Sequence, residues 1–588
     1  MRTSTDPDRV KAPGRSVPEA RGSRVRSAAG ELLPRPWLFG LWTIVLLVLA
    51  AGLFLPDLNY GDAPQYAVMA LRMFRDGDWV NLTSTGLGDF LDKPHLIFWS
   101  AMVGYHLFGV HDFSYRLPSV LVSLLGAYSV GRLGRRLYGE RTGQMAALLF
   151  ITSQAILLGD HDVRTDALLT GFTAFAVWQL ARWIETDDLR SLLAGAVGSG
   201  LAVSSKGMVA AAVVGPCILL FAWGRRRLGR CVSPAVLLGL AAFFLSLAPV
   251  LLAYALQFDL HPEKNVGGMT GVSGIRYFLL GQSVERFSGG HGEASPGDYL
   301  FFFHTLLWAF LPWSLLAYGA WGVRLRTLLR EGMAGFHRDE QLTFLWPLAF
   351  TALLNLSRFK LPHYLNLLFP LFAVLVAGSL DGLARGGRTG WLRVLERVQW
   401  AVIGALLFAS AALNAWSFPV RSGWVLAGAA VLLAILVRAF RLADPVQRVW
   451  VPSAVAMLLT NFLLNASFYP QLARYQPGSA FARQALAAKV DWDHFYFLDR
   501  IYRPFQFYTG HIADIVELPR IRREVGEGHR VFVLVGEEGK EQLRAAGLTQ
   551  TELLSSPDCR ITMIDRKILV PGERERGCPR AHLLALGP

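Results

Sequence analysis

Thirteen apolar runs, nearly free of charge between their ends, limit what this chain can fold into. They cover residues 36–56, 115–131, 143–158, 166–184, 191–205, 207–223, 234–256, 299–320, 341–356, 362–380, 399–417, 423–437 and 449–468. A helix of about 20 apolar residues crosses a bilayer, and tilt or snorkelling ends accommodate shorter ones. Of the 588 residues 53% are hydrophobic and only 17% charged, which is membrane composition. The net charge of +14 is parcelled into short connections between the runs. That distribution is a topology signal and not the footprint of a nucleic-acid binder.

The first 35 residues carry seven arginines and one lysine among several Pro and Gly, and read as a disordered cytoplasmic tail. With that end inside, alternation also puts 132–142, 224–232, 322–340, 381–398 and 438–448 inside, all arginine-rich. The loop 185–190, with Glu185, Asp187 and Asp188, is a minor exception. Counting the apolar stretch Leu96–Gly109 as a further span would throw most arginine clusters outside, so it reads as a helix against the outer interface. No small-residue cleavage site follows Trp37–Leu55, so no cleaved signal peptide is expected. The expected architecture is an α-helical polytopic membrane protein with about 13 transmembrane helices. A membrane domain, 36–470, carries outer loops 57–114, 159–166, 257–298 and 357–363. An odd number of spans leaves 471–588 as a small extracytoplasmic α/β domain. Its β-type runs are Phe495–Leu498, Val531–Val535 and Ile561–Ile564, with helices near 478–488, 516–525 and 539–546. If that region lies outside, Cys559 and Cys578 could pair; the alternative is two free thiols.

Chemistry is expected where charge has no structural excuse. From Asp57 to Asp112 run seven aspartates against only Arg72, Arg75 and Lys93. On this topology the unusual polar groups share one face. The first outer loop gives Asp62, Tyr66, Asp92, Lys93 and His95, and the second gives Asp160, His161, Asp162, Arg164 and Asp166. Lys206 follows the fifth span, Glu285 and Arg286 lie in the long loop, and Arg358, Lys360, His363 and Tyr364 follow the ninth span. Lysine and arginine hold phosphate, and a carboxylate can deprotonate an acceptor hydroxyl. Blander readings exist for each: Asp62 as a helix cap, Lys93 and Lys206 as snorkelling side chains, the histidines as interfacial hydrogen-bonders. A transporter or lipid flippase is the alternative of another class, but such proteins place ionisable groups along the spans.

Ordered motifs sharpen this. Gly61-Asp-Ala-Pro-Gln-Tyr-Ala67, Arg75-Asp-Gly-Asp-Trp79, Phe90-Leu-Asp-Lys-Pro94, Arg116-Leu-Pro-Ser119, Val163-Arg-Thr-Asp-Ala-Leu168, Ser205-Lys-Gly207 and Ser357-Arg-Phe-Lys-Leu-Pro-His-Tyr364 follow one another along the chain. Over about residues 36 to 380 this resembles the polyprenol-dependent GT-C glycosyltransferases, the aminoarabinose transferase and protein O-mannosyltransferase group. The resemblance implies a multispanning fold with an outward cavity, a sugar donor on a polyprenyl phosphate, and inverting transfer to a lipid, glycan or protein acceptor at the outer face of the cytoplasmic membrane. It implies Asp62 as catalytic base, Asp166 as the acidic residue of the second outer loop, and Lys93 and Arg286 on the donor phosphate; by their placement on the same face Asp162 joins the carboxylates and Lys206 the phosphate-binding cations. Tyr66, Asp92, His363 and Tyr364 are the expected substrate contacts. No nucleic-acid partner is implied. No cofactor is certain; a divalent cation held by Asp162 and Asp166 is left open. Two departures, Gln65 in place of a basic residue and Ser283-Val-Glu-Arg-Phe287 without an upstream histidine, leave the aminoarabinose substrate outside what the resemblance implies.

Overall fold

The computed structural model describes residues 32–59, 61–285, 298–335, 340–559, 561 and 566–587. It is mostly helical, and the helices follow the apolar runs. Among the described residues, six helices are long and apolar enough to cross a membrane: Arg35–Phe54 (α1), Asp112–Tyr138, Ala235–Asp259, Pro362–Arg385, Thr389–Ser417 and Pro445–Tyr475. A seventh results if Glu140–Ile151 and Gln154–His161, bent by 52° at their break, are one span. The count of about thirteen is therefore not met by length and composition alone. The remaining runs also fold as helices, but shorter or more polar ones. Leu189–Lys206 shows why. Its glycines serve close packing and not hydropathy: a Cβ at Gly200 would lie 1.9 Å from Ser246 Oγ and 2.7 Å from Phe243 O on the neighbouring helix.

We number the elements around the first loops α2 (Asp62–Asp76), β1 (Thr83–Ser84), β2 (Gly88–Asp89), α3 (Leu96–Phe108), α4 (Asp112–Tyr138), α5 (Glu140–Ile151), α6 (Gln154–His161), α7 (Thr165–Thr186) and α8 (Leu189–Lys206). The break between α5 and α6 has a local cause. Thr152 and Ser153 turn their hydroxyls back onto Leu148 O and Phe150 O, and the Gln154 N–H is captured by Leu311 O at 2.9 Å.

Ion pairs gather the loops into two faces. At one end Arg136 and Arg225 pair with Glu185, Arg182 with Asp188, and Arg230 with Asp187. The acidic loop 185–190 thus neutralises arginines of the loops around it, which accounts for its exception to the charge pattern. Arg141 reaches Asp444 at 2.6 Å and Asp381 at 3.7 Å, adding two further arginine-rich loops to that end. The first loop and the C-terminal sheet lie together at the other end. There α3 packs on α2 and α4, and leaves Val103, Leu107 and Phe108 exposed on its far side.

The C-terminal region holds β3 (Phe495–Phe497), β4 (Val531–Val535), β5 (Gln550–Pro557) and β6 (Arg580–Leu586) in a four-stranded sheet of order β3-β4-β6-β5. β3 and β4 are parallel, and β6 is antiparallel to both β4 and β5. Alternation splits the apolar residues onto two faces: Phe532, Leu534 and Leu583 on one, Val531, Val533 and Leu584 on the other. The run Ile561–Ile564 is not a described strand: Ile561 lies in a turn and 562–564 lie outside the described residues. The edge strand β5 carries Gln550, Thr551, Glu552, Ser555 and Ser556, so no apolar run announces it. Cys559 and Cys578 form a disulfide with Cα atoms 5.1 Å apart, and Cys217 and Cys231 are free.

His95 pins the first loop from within. It is fully buried, with Nε2 2.7 Å from Val80 O and its ring against Trp99 and Tyr254. Burial pushes its pKa down to about 4. The folded form therefore holds the ring neutral while the unfolded chain protonates near 6.5. This contribution is complete above about pH 6.5 and is lost as the pH falls toward 4, by up to about 3 kcal/mol. Thermal midpoints in detergent between pH 7.5 and 4.5 should fall less steeply for His95→Gln than for the wild type; parallel acid limbs would remove His95 from this account.

Candidate functional site

Two adjacent residues at the start of α4 set the positions of everything around them. Arg116 is buried, and its guanidinium donates from Nε to His161 O at 2.9 Å and from Nη1 to Pro56 O at 2.7 Å and Leu53 O at 3.3 Å. Leu53 and His161 stand at the C-terminal ends of α1 and α6, where carbonyls lack partners within their own helices and favour a cation. Tyr115, also buried, donates its hydroxyl to Ala63 O at 2.9 Å and lies 3.4 Å from Val163 O. Ala63 is next to Asp62, and Val163 lies between Asp162 and Arg164. One turn of α4 therefore holds both carboxylate-bearing segments.

Asp62 opens α2 as its first residue; the N-cap is Gly61, at φ 130°, so Asp62 is not the cap. Its carboxylate lies 3.6 Å from Arg164, whose other nitrogen lies 3.1 Å from Asp162. Burial disfavours the Arg164 charge, but Asp162, Asp62 and Asp166 outweigh it and hold the guanidinium above its ordinary pKa. Asp166, in the first turn of α7, is bound by Lys206 Nζ at 2.6 Å, and both are about nine-tenths buried. Lys206 is the last residue of α8, aimed by the turn at Gly207 (φ 79°). Its ammonium also sits 4.8 Å from the Tyr364 ring centroid, and His363 Nε2 lies 3.9 Å from Asp166. Asp92 pairs with Lys93 and accepts from the Tyr277 hydroxyl at 3.1 Å.

These groups form one constellation. Lys93, Arg164, Lys206 and Asp166 all lie within electrostatic reach of the His363 ring. Tyr66 lies beneath and not among them: it is 2% exposed and packs edge-on against Phe98. Its hydroxyl is pushed well above its ordinary pKa by burial and then by the charges of Asp62 and Asp92, which lie within electrostatic reach. Tyr66 is thus part of the floor, where the sequence suggested a substrate contact. Arg286 and the Glu285 side chain lie outside the described residues. Asp160 and His161 turn away into the helices, Asp160 accepting from Ser123 at 2.6 Å and His161 lying against Tyr469. Among the described residues no cluster of three or more His, Cys, Asp or Glu is placed to hold a metal ion.

Sequence reasoning missed three contributors. Tyr115 acts through backbone carbonyls, which carry no sequence signal. Arg164 stood in the second loop but was not singled out as the bridge between two aspartates. Arg503 comes from the C-terminal region, where the helix Arg503–Thr509 packs along α2. Burial lowers its pKa, and Asp62 is the charge that opposes this.

Residues 92–252 match the family described as dolichyl-phosphate-mannose-protein mannosyltransferase. Undecaprenyl phosphate-alpha-4-amino-4-deoxy-L-arabinose arabinosyl transferase 2 of Pseudomonas fluorescens is 29% identical over 357 residues, 58% of this chain and 56% of that protein. Its counterpart from Pseudomonas aeruginosa is 28% identical over 362 residues, 59% and 61% of the two chains. The chain thus spans little more than half the length of these curated relatives. Among solved structures, ArnT from Cupriavidus metallidurans bound to undecaprenyl phosphate superposes with a TM-score of 0.71 at 17% identity, covering 94% of this chain and 98% of that one. Its apo form gives 0.69 at 18%. At such identities the likeness is one of fold. The resemblance drawn from the motifs is borne out at that level: the chain has a GT-C glycosyltransferase fold and is a multi-pass membrane protein.

The role of Tyr115 can be read without any substrate. Tyr115→Phe keeps the ring but leaves Ala63 O and Val163 O without their donor, at a cost of about 1 kcal/mol. Hydrogen–deuterium exchange should rise at 61–66 and 162–166 and stay unchanged at 185–190. Unaltered exchange at both segments would show that Tyr115 does not hold them.

Proposed function

We propose that this chain is an inverting glycosyltransferase that moves a sugar from a polyprenyl-phosphate donor to a lipid, glycan or protein acceptor. The fold, the matched family and the named activity of the relatives all support this over transport or lipid flipping. So does the gathering of carboxylates and cations at one end of the helices, where a substrate that is part lipid and part polar would meet both. In this reading 36–470 is the transferase domain and 471–588 an extracytoplasmic domain. The N-terminus is cytoplasmic and the site faces outward from the inner membrane. The arginine-rich loops at the opposite end support that orientation, as does the Cys559–Cys578 disulfide, a bond that persists in oxidising compartments.

One observation carries the choice of base. Among the site aspartates Asp62 has the most accessible side chain, 46% exposed, and among the described residues its one ion pair is the 3.6 Å contact to Arg164. Asp166, by contrast, is 8% exposed and locked to Lys206. Asp62 therefore takes the proton of the acceptor hydroxyl as that oxygen attacks the anomeric carbon. The bond from that carbon to the phosphate oxygen breaks on the opposite side, so configuration inverts and polyprenyl phosphate leaves with the electron pair. Lys93 and Lys206, with Arg286 from the long loop, stabilise the charge growing on the leaving oxygen. Asp92 and Asp166 keep the two lysines charged and aimed. Asp162, through Arg164, holds Asp62 in place, and His363 and Tyr364 line the sugar pocket. Gln65, already a departure from the motif of the enzymes that the sequence resembles, donates to Ser84 Oγ at 3.1 Å, toward the small hairpin. The identity of the sugar is therefore not carried over from them.

Purified protein in nanodiscs should transfer label from a panel of polyprenyl-phosphate sugars to a membrane-lipid and peptide extract. Asp62→Asn should fold normally and lose at least about 100-fold in rate, the scale of general-base catalysis. Equal transfer by both proteins would return Asp62 to a structural role and move the base to Asp162 or Asp166.

A further inference from the structure

A second charged feature lies at the far end of α2, where the helix meets the C-terminal region. A cleft of about 320 Å³ opens between Arg72, Arg75 and Asp76 on one side and Trp492 and His511 on the other. Arg72 is half-buried and held in place: Nη1 donates to Thr83 Oγ1 at 3.3 Å and Nη2 to Thr85 Oγ1 at 3.4 Å. Arg75 lies against Gly510, where an added Cβ would come within 2.9 Å of its guanidinium. Trp492 and His511 stack face to face, 4.2 Å between centroids and 2° between planes. Burial, and then Arg75, lower the His511 pKa, so its ring is neutral and offers an N–H at pH 7.

Neither arginine forms a salt bridge among the described residues. Three residues apart on one helix face, they repel each other, and Asp76 supplies one exposed carboxylate for two cations. An oxyanion between the two guanidinium forks would relieve this and could be gripped by both. The cleft is larger than one such group needs and falls at the lower end of ligand-pocket volumes, roughly 300 Å³ upward, where a sugar-sized ring against an aromatic wall fits. Arg72 and Arg75 lie ten and thirteen residues beyond Asp62 on the same helix, or about 15–20 Å at 1.5 Å per residue.

We propose that this cleft binds an acidic sugar of the acceptor, a saccharide bearing phosphate or carboxylate, and anchors the acceptor while a hydroxyl elsewhere on it reaches Asp62. The acceptor role rests on the reading of Asp62 given above; the binding does not. The full chain in nanodiscs is titrated calorimetrically with glucose 6-phosphate, glucuronate, glucose and inorganic phosphate. Glucose 6-phosphate or glucuronate should bind at least about tenfold more tightly than glucose and than inorganic phosphate. Arg72→Gln should weaken that binding by about tenfold or more, and Arg75→Gln, at an exposed position where folding is not at stake, by a similar factor. Asp62→Asn should bind with unchanged affinity, which separates failure here from failure of the base assignment. Absence of binding, or binding indifferent to both arginine variants, overturns the proposal. Inorganic phosphate binding as tightly as glucose 6-phosphate overturns the sugar and leaves a simple anion site.

Discussion

The buried guanidinium of Arg116 is the contact on which the rest of the site-bearing end of the helices depends. A cation this deeply buried is costly unless it is partnered, and here carbonyls from the ends of two helices and the chain after α1 accept from Nε and Nη1, with the Asp112 carboxylate 3.6 Å away. The arrangement works because helix C-termini concentrate partial negative charge and unpaired carbonyls at one place. What leaves those two helix ends is the candidate site: α1 leads into the segment of Asp62, and α6 leads directly into Asp162, Arg164 and Asp166. The kink between α5 and α6 adds the last degree of control, since it sets the direction in which α6 delivers that second segment.

Around this anchor, charge is arranged in graded burial. The deepest pair, Asp166 with Lys206, is nearly dry, and its 2.6 Å contact offsets the cost of desolvating both groups. Asp92 with Lys93 and Asp162 with Arg164 lie nearer the rim. Asp62 is the outermost carboxylate and the least constrained. On the proposed mechanism, a gradient of this kind separates the residues that stay ionised and fixed from the one that exchanges a proton with the acceptor hydroxyl.

The helical architecture was legible because hydrocarbon forces apolar runs on a chain, and arginine placement orders them. Residues far apart in sequence, such as Asp166, Lys206 and His363, could be assigned to one end from charge alone, and the structure brings them within hydrogen-bonding or ion-pair distance. Other features were hidden for physical reasons. Tyr115 works through carbonyl oxygens that every residue possesses. Arg503 reaches the site only because a distant helix packs along α2. Tyr66 stood among the expected substrate contacts, and its ring is packed under the loop, with its hydroxyl within electrostatic reach of Asp62 and Asp92. The span count overshot the helices that pass by length and composition because Gly-rich segments such as Leu189–Lys206 trade apolar bulk for close approach.

The C-terminal region is fastened along two separate edges. On one side the Tyr508 hydroxyl accepts from Leu58 N–H at 2.7 Å and donates to Asp112 at 2.8 Å, while Ser479 donates to Asp57. On the other side Arg574 lies 4.0 Å from the Phe418 ring centroid and donates to Ser417 O at 2.6 Å, and the disulfide segment packs on Phe468 and Leu472. A body tied at both edges behaves as a strut and not as a hinged flap. It cannot swing aside to admit a substrate without giving up one set of ties. For the lipid-borne donor of the proposed reaction, that leaves a sideways approach, between the helices and along the plane of the bilayer.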